Sequence, residues 1–273
     1  MHDAGVAVVA ITPDAPEVLQ RFATRFDIGY PLLADVGGVV IDEFGLRNHN
    51  IVPNERQAAG IPFPGHFLLD RDGRVIAKAF TGDLRHRASG TTLVAETLGV
   101  YGGPQATVER DELRAVISLS TGRFYGGQEA SVRVDIDIAP GWHVYDASIA
   151  APYRPLAVEL DVGGDLLAAH EVRWPAPEIV AFGVLGTLPV HSGHVVATGR
   201  MRLRWSPPPS IFGGLENAVR RRAIAPGAYG LACALRYQAC RDDVCLEPQE
   251  VRFVLPLIVE PTLASASEPA TDT

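Results

Sequence analysis

Clustered basic residues, long apolar runs and cysteines are all scarce in this 273-residue chain. Lys and Arg number 24 against 32 Asp and Glu, for a net charge of −8. Apart from Arg220–Arg222, read as a solvated face, the basic residues are scattered. That argues against a nucleic-acid partner, which needs a basic patch. No apolar run reaches the ~18 residues of a membrane helix, so no transmembrane segment is expected. The start, MHDAGVAVVAITPDAP, has no basic leader region, and turn and acidic residues follow its apolar run at once. It reads as a strand rather than a signal peptide. Three cysteines are too few for a disulfide scaffold and odd in number, so they leave the compartment open. His191 and His194 invite a metal reading, but no Cys or His spacing matches a zinc site. No G-x-S-x-G motif supports serine-hydrolase chemistry. What is present, 47% apolar and 21% charged residues, suits two globular domains of ordinary size.

The first hundred residues alternate between strand and helix patterns. Gly5 to Ile11 is a continuous apolar run, expected to be a strand buried on both faces. Asp14 with Glu17 three residues later predicts a helix start, and Val18, Leu19, Phe22 and Phe26 follow at helical spacing. Pro31 to Ala34 reads as a strand, Val39 to Leu46 as a short helix, and Phe67 to Asp70 as a further strand. Asp72-Gly73 turns that strand into Val75 to Phe80. Thr91 to Leu98 closes the region as an amphipathic helix. The layout is α/β with a mixed sheet.

The blocks GVAVVAITPDAPEVLQRFATRFDIGYPLLAD and GIPFPGHFLLDRDGRVIAKAF resemble the redoxin branch of the thioredoxin fold, the peroxiredoxin and thiol-reductase group, over residues 1–100. The resemblance puts Pro64 where that family has a cis proline beside its active cysteine, and His66 where Thr is more usual. The family's catalytic cysteine lies before the position of Gly5, whereas the first cysteine here is Cys233. Without a thiolate there is no nucleophile for peroxide or disulfide. The expectation is a partial redoxin domain with no peroxidase activity of its own, in a chain that starts late at an internal Met. A degenerate domain kept for packing is the other reading. Either would expose apolar sheet surface.

Tyr101-Gly102-Gly103-Pro104 marks a boundary, and residues 101–109 read as a linker. Beyond it the period becomes two. Val132, Val134, Ile136 and Ile138 alternate on one face of Ser131–Ile138. Short strand patterns recur at Ala115–Leu119, Trp142–Tyr145, Ala157–Leu160, Val195–Leu203, Leu231–Tyr237 and Val251–Val259. Residues 110–260 therefore predict an all-β, immunoglobulin-like sandwich. Ser206 to Arg222 interrupts it as a Pro-rich loop with a possible helical turn, and the tail 261–273 is expected to be disordered.

Two of the three cysteines fall in Tyr237–Pro248, YQACRDDVCLEP. Leu231, Cys233, Leu235 and Tyr237 alternate inward, which makes Cys233 a core thiol. The strand ends in Arg241-Asp242-Asp243, a turn that can bring Cys245 back to Cys240, within the ~4.4–6.8 Å Cα separation of a disulfide. Closing so short a loop contributes only ~2 kcal/mol. On the residues alone, a redox pair and a structural disulfide both stand. Arg241 would favour a thiolate at Cys240, and Asp242 and Asp243 would oppose it. His143, beside Trp142 and Tyr145, has two readings, a group near the pair and, more commonly, a strand-edge histidine.

The segments GWHVYDASI, PAPEIVAFG and LRYQACRDDVCLEPQEV resemble the N-terminal domain of the DsbD family of thiol:disulfide interchange reductases, over residues 110–260. The resemblance implies a redox pair at Cys240 and Cys245, with Cys245 the attacking thiolate and no metal or organic cofactor. It implies a cap loop near Pro177–Gly183, with Phe182 as the shielding aromatic and Glu178 as its acidic candidate. Tyr145, Tyr237 and Pro248 would lie beside the pair, Glu247-Pro248 standing where Pro-Pro is expected. The partner implied is a thioredoxin-like protein or a redoxin domain, including one in the same chain. An exchangeable disulfide fits an extracytoplasmic site. The competing readings are a non-catalytic interaction module with a structural disulfide, and a truncated peroxiredoxin-type antioxidant protein.

Overall fold

The computed structural model describes residues 5–48, 62–80, 89–125, 127–164, 166–183, 186–204, 224–242 and 244–261. The chain divides into two compact units, Met1–Ala88 and Ser89–Thr273. The Ser206–Arg222 loop, Gly126, Asp243 and the tail after Pro261 lie outside the described residues.

The first unit contains β1 (Ala10–Thr12), α1 (Pro16–Arg25), β2 (Leu32–Ala34), α2 (Val39–Glu43), β3 (Gly65–Leu69) and β4 (Val75–Phe80). β1 pairs in parallel with β2, and β3 forms an antiparallel hairpin with β4. The expected strand Gly5–Ile11 shrinks to Ala10–Thr12, and it is not buried on both faces. Val9 and Ile11 are 55% and 44% exposed, and Leu33 of β2 is 49% exposed. Among the described residues β1 has a single strand neighbour, so apolar side chains that a central strand would bury stay open.

Asp14 is not the cap of α1. Ala15 holds that position, with no side-chain bond and with Pro16 in the first turn, where its missing N–H costs nothing. The Asp14 carboxylate instead accepts from the Thr12 hydroxyl. The effective cap in this unit is Asp35, which accepts from the Val40 and Ile41 N–H groups of α2 at 3.1 and 2.9 Å. The β3–β4 turn is held by the Asp70 carboxylate, accepting from the Asp72 and Arg74 N–H groups at 2.9 Å each, with Gly73 at φ +79°. A Cβ at Gly65 would run into the Phe80 ring, so glycine is required there. Pro64 leads into β3 without the cis bond expected of it; the cis X-Pro bond among the described residues is Ala151–Pro152. The Phe63 N–H before it bonds the Leu46 carbonyl at 2.8 Å.

The second unit opens with α3 (Gly90–Leu98). This helix, expected to close the first region, belongs with the β-domain. Thr92 Oγ1 donates to the Glu129 carbonyl at 2.9 Å, and Arg200 grips Glu96 through two bonds of 2.7 and 2.6 Å. There follow β5 (Gln105–Glu109), β6 (Leu113–Leu119), β7 (Arg123–Phe124), β8 (Glu129–Ile138) and β9 (His143–Tyr145). Next come β10 (Ala157–Asp161), β11 (Leu167–Arg173), β12 (Glu178–Ala181), β13 (Thr187–His191) and β14 (His194–Leu203). The last are β15 (Gly227–Tyr237), β16 (Ala239–Arg241), β17 (Val244–Cys245) and β18 (Gln249–Val259). Much of the expected linker 101–109 is thus β5, paired antiparallel with β6.

Two sheets, β11-β14-β8-β6-β5 and β10-β15-β18-β7, enclose one core and make a β-sandwich. Val132, Val134 and Ile136 of β8 face Leu231, Cys233 and Leu235 of β15 within that core, as the alternation requires. Burial pushes the Cys233 thiol up to about 12, so it stays protonated and inert. Tyr237, expected beside the cysteine pair, is fully buried in the core, and its hydroxyl donates to the buried Glu112 at 2.6 Å. Burial, then the Glu112 bond, raise the phenol above its usual range, so it remains a donor.

Tyr237→Phe removes that donor and leaves a buried acceptor unpaired. The expected loss is about 1–3 kcal/mol of stability in urea unfolding, with an unchanged denaturant slope.

Candidate redox site

A third sheet, β12-β13-β9-β16-β17, carries the cysteine pair. Its register fixes which side chains share a face. Tyr145 lies opposite Val190, Val144 opposite both His191 and Ala239, His143 opposite Cys240, and Cys240 opposite Cys245. Directly paired residues point to the same face, and neighbours along a strand point to opposite faces. Val144 and Ala239 therefore enter the sandwich core, where both are fully buried. Cys245, Cys240 and His143 form a row on the other face, with Tyr145 two residues along from His143.

Cys240 and Cys245 form a disulfide with Cα atoms 4.1 Å apart, slightly closer than the expected window. The hairpin turns at Asp242, whose φ of +50° is in the left-handed region that Asp tolerates. The Leu246 N–H then closes it on the Ala239 carbonyl at 2.9 Å. The two cysteines differ in exposure: Cys240 is 1% exposed, while Cys245 is an exposed residue.

The Tyr145 hydroxyl lies 3.3 Å from Cys240 Sγ and 3.8 Å from Cys245 Sγ. Burial, with a smaller effect from Tyr153, holds this phenol above its ordinary range, so it faces the sulfurs as a donor. Burial pushes the His143 imidazole the other way, below its ordinary range, and keeps it neutral. Its ring packs against Phe182 at 4.8 Å and edge-on to Tyr145 at 5.8 Å. Arg241 does not sit over the sulfurs. It follows Cys240 in the strand, points to the opposite face, and lays its guanidinium 4.9 Å from the centre of the Trp142 ring.

The expected cap near Pro177–Gly183 is the first arm of the β12–β13 hairpin rather than a loop. Phe182 ends that arm, its N–H bonded to the Gly186 carbonyl at 2.8 Å. Phe182, Val180 and Leu188 pack against the cluster of Tyr145, Val190 and Cys240. Glu178 accepts from Ser192 Oγ at 3.0 Å and makes no bond to a sulfur. Pro248 stands exposed between β17 and β18.

His191 and His194 pair with different carboxylates, Asp146 at 2.8 Å and Asp137 at 2.7 Å. His191 and Asp146 are both buried, on the strand and turn that back the site. Burial alone would push the Asp146 carboxyl up. Hydrogen bonds from the Ser148 hydroxyl and N–H, and from His191, outweigh it and hold the carboxyl below its ordinary value. A carboxyl lowered in the folded state stabilises fully above its unfolded value, and that stability is lost as pH falls through the folded value. Asp146→Asn is expected to cost about 1–3 kcal/mol at neutral pH. It should also flatten the loss of stability on acidification below about pH 4, seen by comparing urea unfolding of both proteins at several pH values.

Of the two readings of His143, the structure supports the one beside the cysteine pair. The spacing in GWHVY puts His143 and Tyr145 on one face, but only the register between β9 and β16 brings His143 across from Cys240. The Asp146–His191 pair is invisible in the sequence, since its members are 45 residues apart.

Comparison with known families agrees with this division of the chain. A model of the AhpC/TSA family matches residues 1–78. One of the thiol:disulfide interchange protein DsbD, N-terminal, matches residues 117–256. The chain is 30% identical over 73 residues to the thiol-disulfide oxidoreductase ResA of Bacillus thuringiensis subsp. konkukian (strain 97-27), covering 26% of this chain and 34% of that protein. It is 33% identical over 79 residues to the peroxiredoxin Bcp of Escherichia coli (strain K12), covering 28% and 47%. The chain thus spans between a third and a half of the length of these relatives. Among solved structures, the N-terminal periplasmic domain of ScsB from Proteus mirabilis aligns over 60% of this chain and 56% of that one, at 13% identity and a TM-score of 0.37. Residues 1–78 are thus a redoxin region of AhpC/TSA type, and the second match takes in more than half of the chain, including the Cys240–Cys245 hairpin. This chain belongs to the DsbD N-terminal family of thiol:disulfide interchange proteins.

Proposed function

We propose that the chain carries out thiol–disulfide interchange through Cys240 and Cys245, on an immunoglobulin-like sandwich joined to the redoxin region. The observation that carries this reading is the asymmetry of the pair. Cys245 is an exposed residue, Cys240 is buried, and both lie on the outer face of a sheet whose inner face belongs to the core. A staple across so short a loop contributes only ~2 kcal/mol, and the sandwich core packs without it.

In this reading Cys245 forms the mixed disulfide and Cys240 resolves it. The Tyr145 hydroxyl donates to whichever sulfur carries charge, stabilising a thiolate that burial would otherwise disfavour. Phe182 and the β12–β13 hairpin shield the pair until a partner displaces them. The partner is a thioredoxin-like protein or redoxin domain, whose own disulfide or dithiol meets Cys245. Residues 1–232 contain no cysteine, so thiol chemistry in this chain rests on the pair.

Trapping tests the reading. Cys240→Ser leaves Cys245 without its resolving partner and is expected to accumulate a mixed disulfide with a thioredoxin whose resolving cysteine has been removed and whose remaining cysteine is activated as its nitrothiobenzoate disulfide, the nitrothiobenzoate thiolate leaving as the new bond forms. Mass spectrometry of non-reduced samples should find Cys245 joined to the thioredoxin. Cys245→Ser should give roughly tenfold less adduct, since its remaining sulfur is buried. No adduct with Cys240→Ser, or equal adduct with both variants, contradicts the proposal.

A further inference from the structure

We propose that His143 is the proton acceptor for Cys240 in the exchange cycle, an inference that rests on the thiol–disulfide reading above. His143 and Cys240 are direct cross-strand partners on one face. Such partners have Cβ atoms about 4.5–5.5 Å apart, a gap an imidazole closes directly or through one water. Cys240 is nearly fully buried, so bulk water is not at hand to take its proton, and burial opposes a free-standing thiolate.

Among the described residues, the other polar groups of this face are committed elsewhere or are unsuited to the role. Tyr145 lies at the sulfurs as a phenol donor, and Tyr153 packs against its ring at 4.7 Å. The Glu178 carboxylate is bonded to Ser192. Arg241, next to Cys240, is turned to the opposite face over Trp142. Asp242 lies in the turn beyond the pair. Packing on Phe182 holds the His143 ring in place. Burial moves the two rings in opposite directions: the imidazole stays neutral and able to accept, and the phenol stays protonated and able to donate.

The cycle balances without a further reagent. The Cys245 thiolate attacks the partner's disulfide; a Cys245–partner bond forms, the partner's bond breaks, and one partner sulfur leaves as a thiolate. Cys240 then gives its proton to His143 as its sulfur attacks Cys245 Sγ. The Cys240–Cys245 bond forms, the Cys245–partner bond breaks, and the second partner sulfur leaves with the electron pair. His143 returns the proton to that sulfur or to solvent. Two electrons pass from this dithiol to the partner's disulfide, and the reverse reaction uses the same groups in the opposite order.

The test uses the reduced full chain and dithiobis(nitrobenzoate), whose coloured thiolate is released once when Cys245 attacks and again when Cys240 resolves. The buried Cys233 thiol lies outside both phases. In the wild type the second release should depend on one ionisation in or below the ordinary histidine range. His143→Phe keeps an aromatic ring against Phe182 but removes the base. Its second release should fall roughly 100-fold at neutral pH and climb about tenfold per pH unit, with the first release within about twofold of wild type. His143→Ala with added imidazole should recover about tenfold in rate, and it keeps the test open if the Phe variant does not fold. An unchanged second release and pH profile in these variants overturns the proposal. So does a slowed release with an unchanged pH profile and no imidazole rescue, which marks a packing defect. A wild-type chain that gives no second release sinks the thiol-exchange reading itself, so the two failures are told apart.

Discussion

The pairing of β16 with β9 is the constraint on which the site depends. By setting Ala239 against Val144 and Cys240 against His143, it sends the first pair into the sandwich core and the second to the outer face. A slip of one residue would exchange the two faces, burying the sulfurs in the core and exposing two side chains that are now fully buried. The hydrophobic burial that stabilises the sandwich therefore also aims the redox pair. The Cys240–Cys245 hairpin extends the same row by one strand.

Burial then differentiates the groups of that row. It closes off Cys240, leaves Cys245 open, raises the Tyr145 phenol and lowers the His143 imidazole. None of this needs a metal or a strong charge. Arg241, the one cation adjacent in sequence, is taken up by Trp142 on the other face. Behind the site, the buried Asp146–His191 pair ties the end of β9 to β13 and so supports the strand that carries both rings.

Much of this was legible in the sequence where a period of two was strong. Val132 to Ile138 and Leu231 to Tyr237 gave strands with the right inward faces, and the turn expected after Cys240 falls at Asp242. What stayed hidden depends on partners distant in the chain. Gln105–Glu109 looked like a linker because its polar ends mask Ala106 and Val108, which meet the core only once β5 pairs with β6. The α3 helix was assigned to the first region by adjacency, whereas Thr92 and Glu96 bind residues of β8 and β14. Asp14 looked like a cap by spacing, but Pro16 and Thr12 compete for its surroundings, and Asp35 caps α2 instead. The redoxin resemblance agrees with the AhpC/TSA match over residues 1–78, while the exposure of Ile11 and Leu33 follows from which strands lie beside them.

The central claim is that the Cys240–Cys245 bond is made and broken in function. Its reduction potential, measured by equilibration of the full chain with a thioredoxin couple, tests that claim most directly. A value above about −300 mV is expected, near the thioredoxin value of about −270 mV, with both cysteines exchanging reversibly. A value well below about −300 mV, with no exchange against thioredoxin, would mark a structural bond and contradict the account.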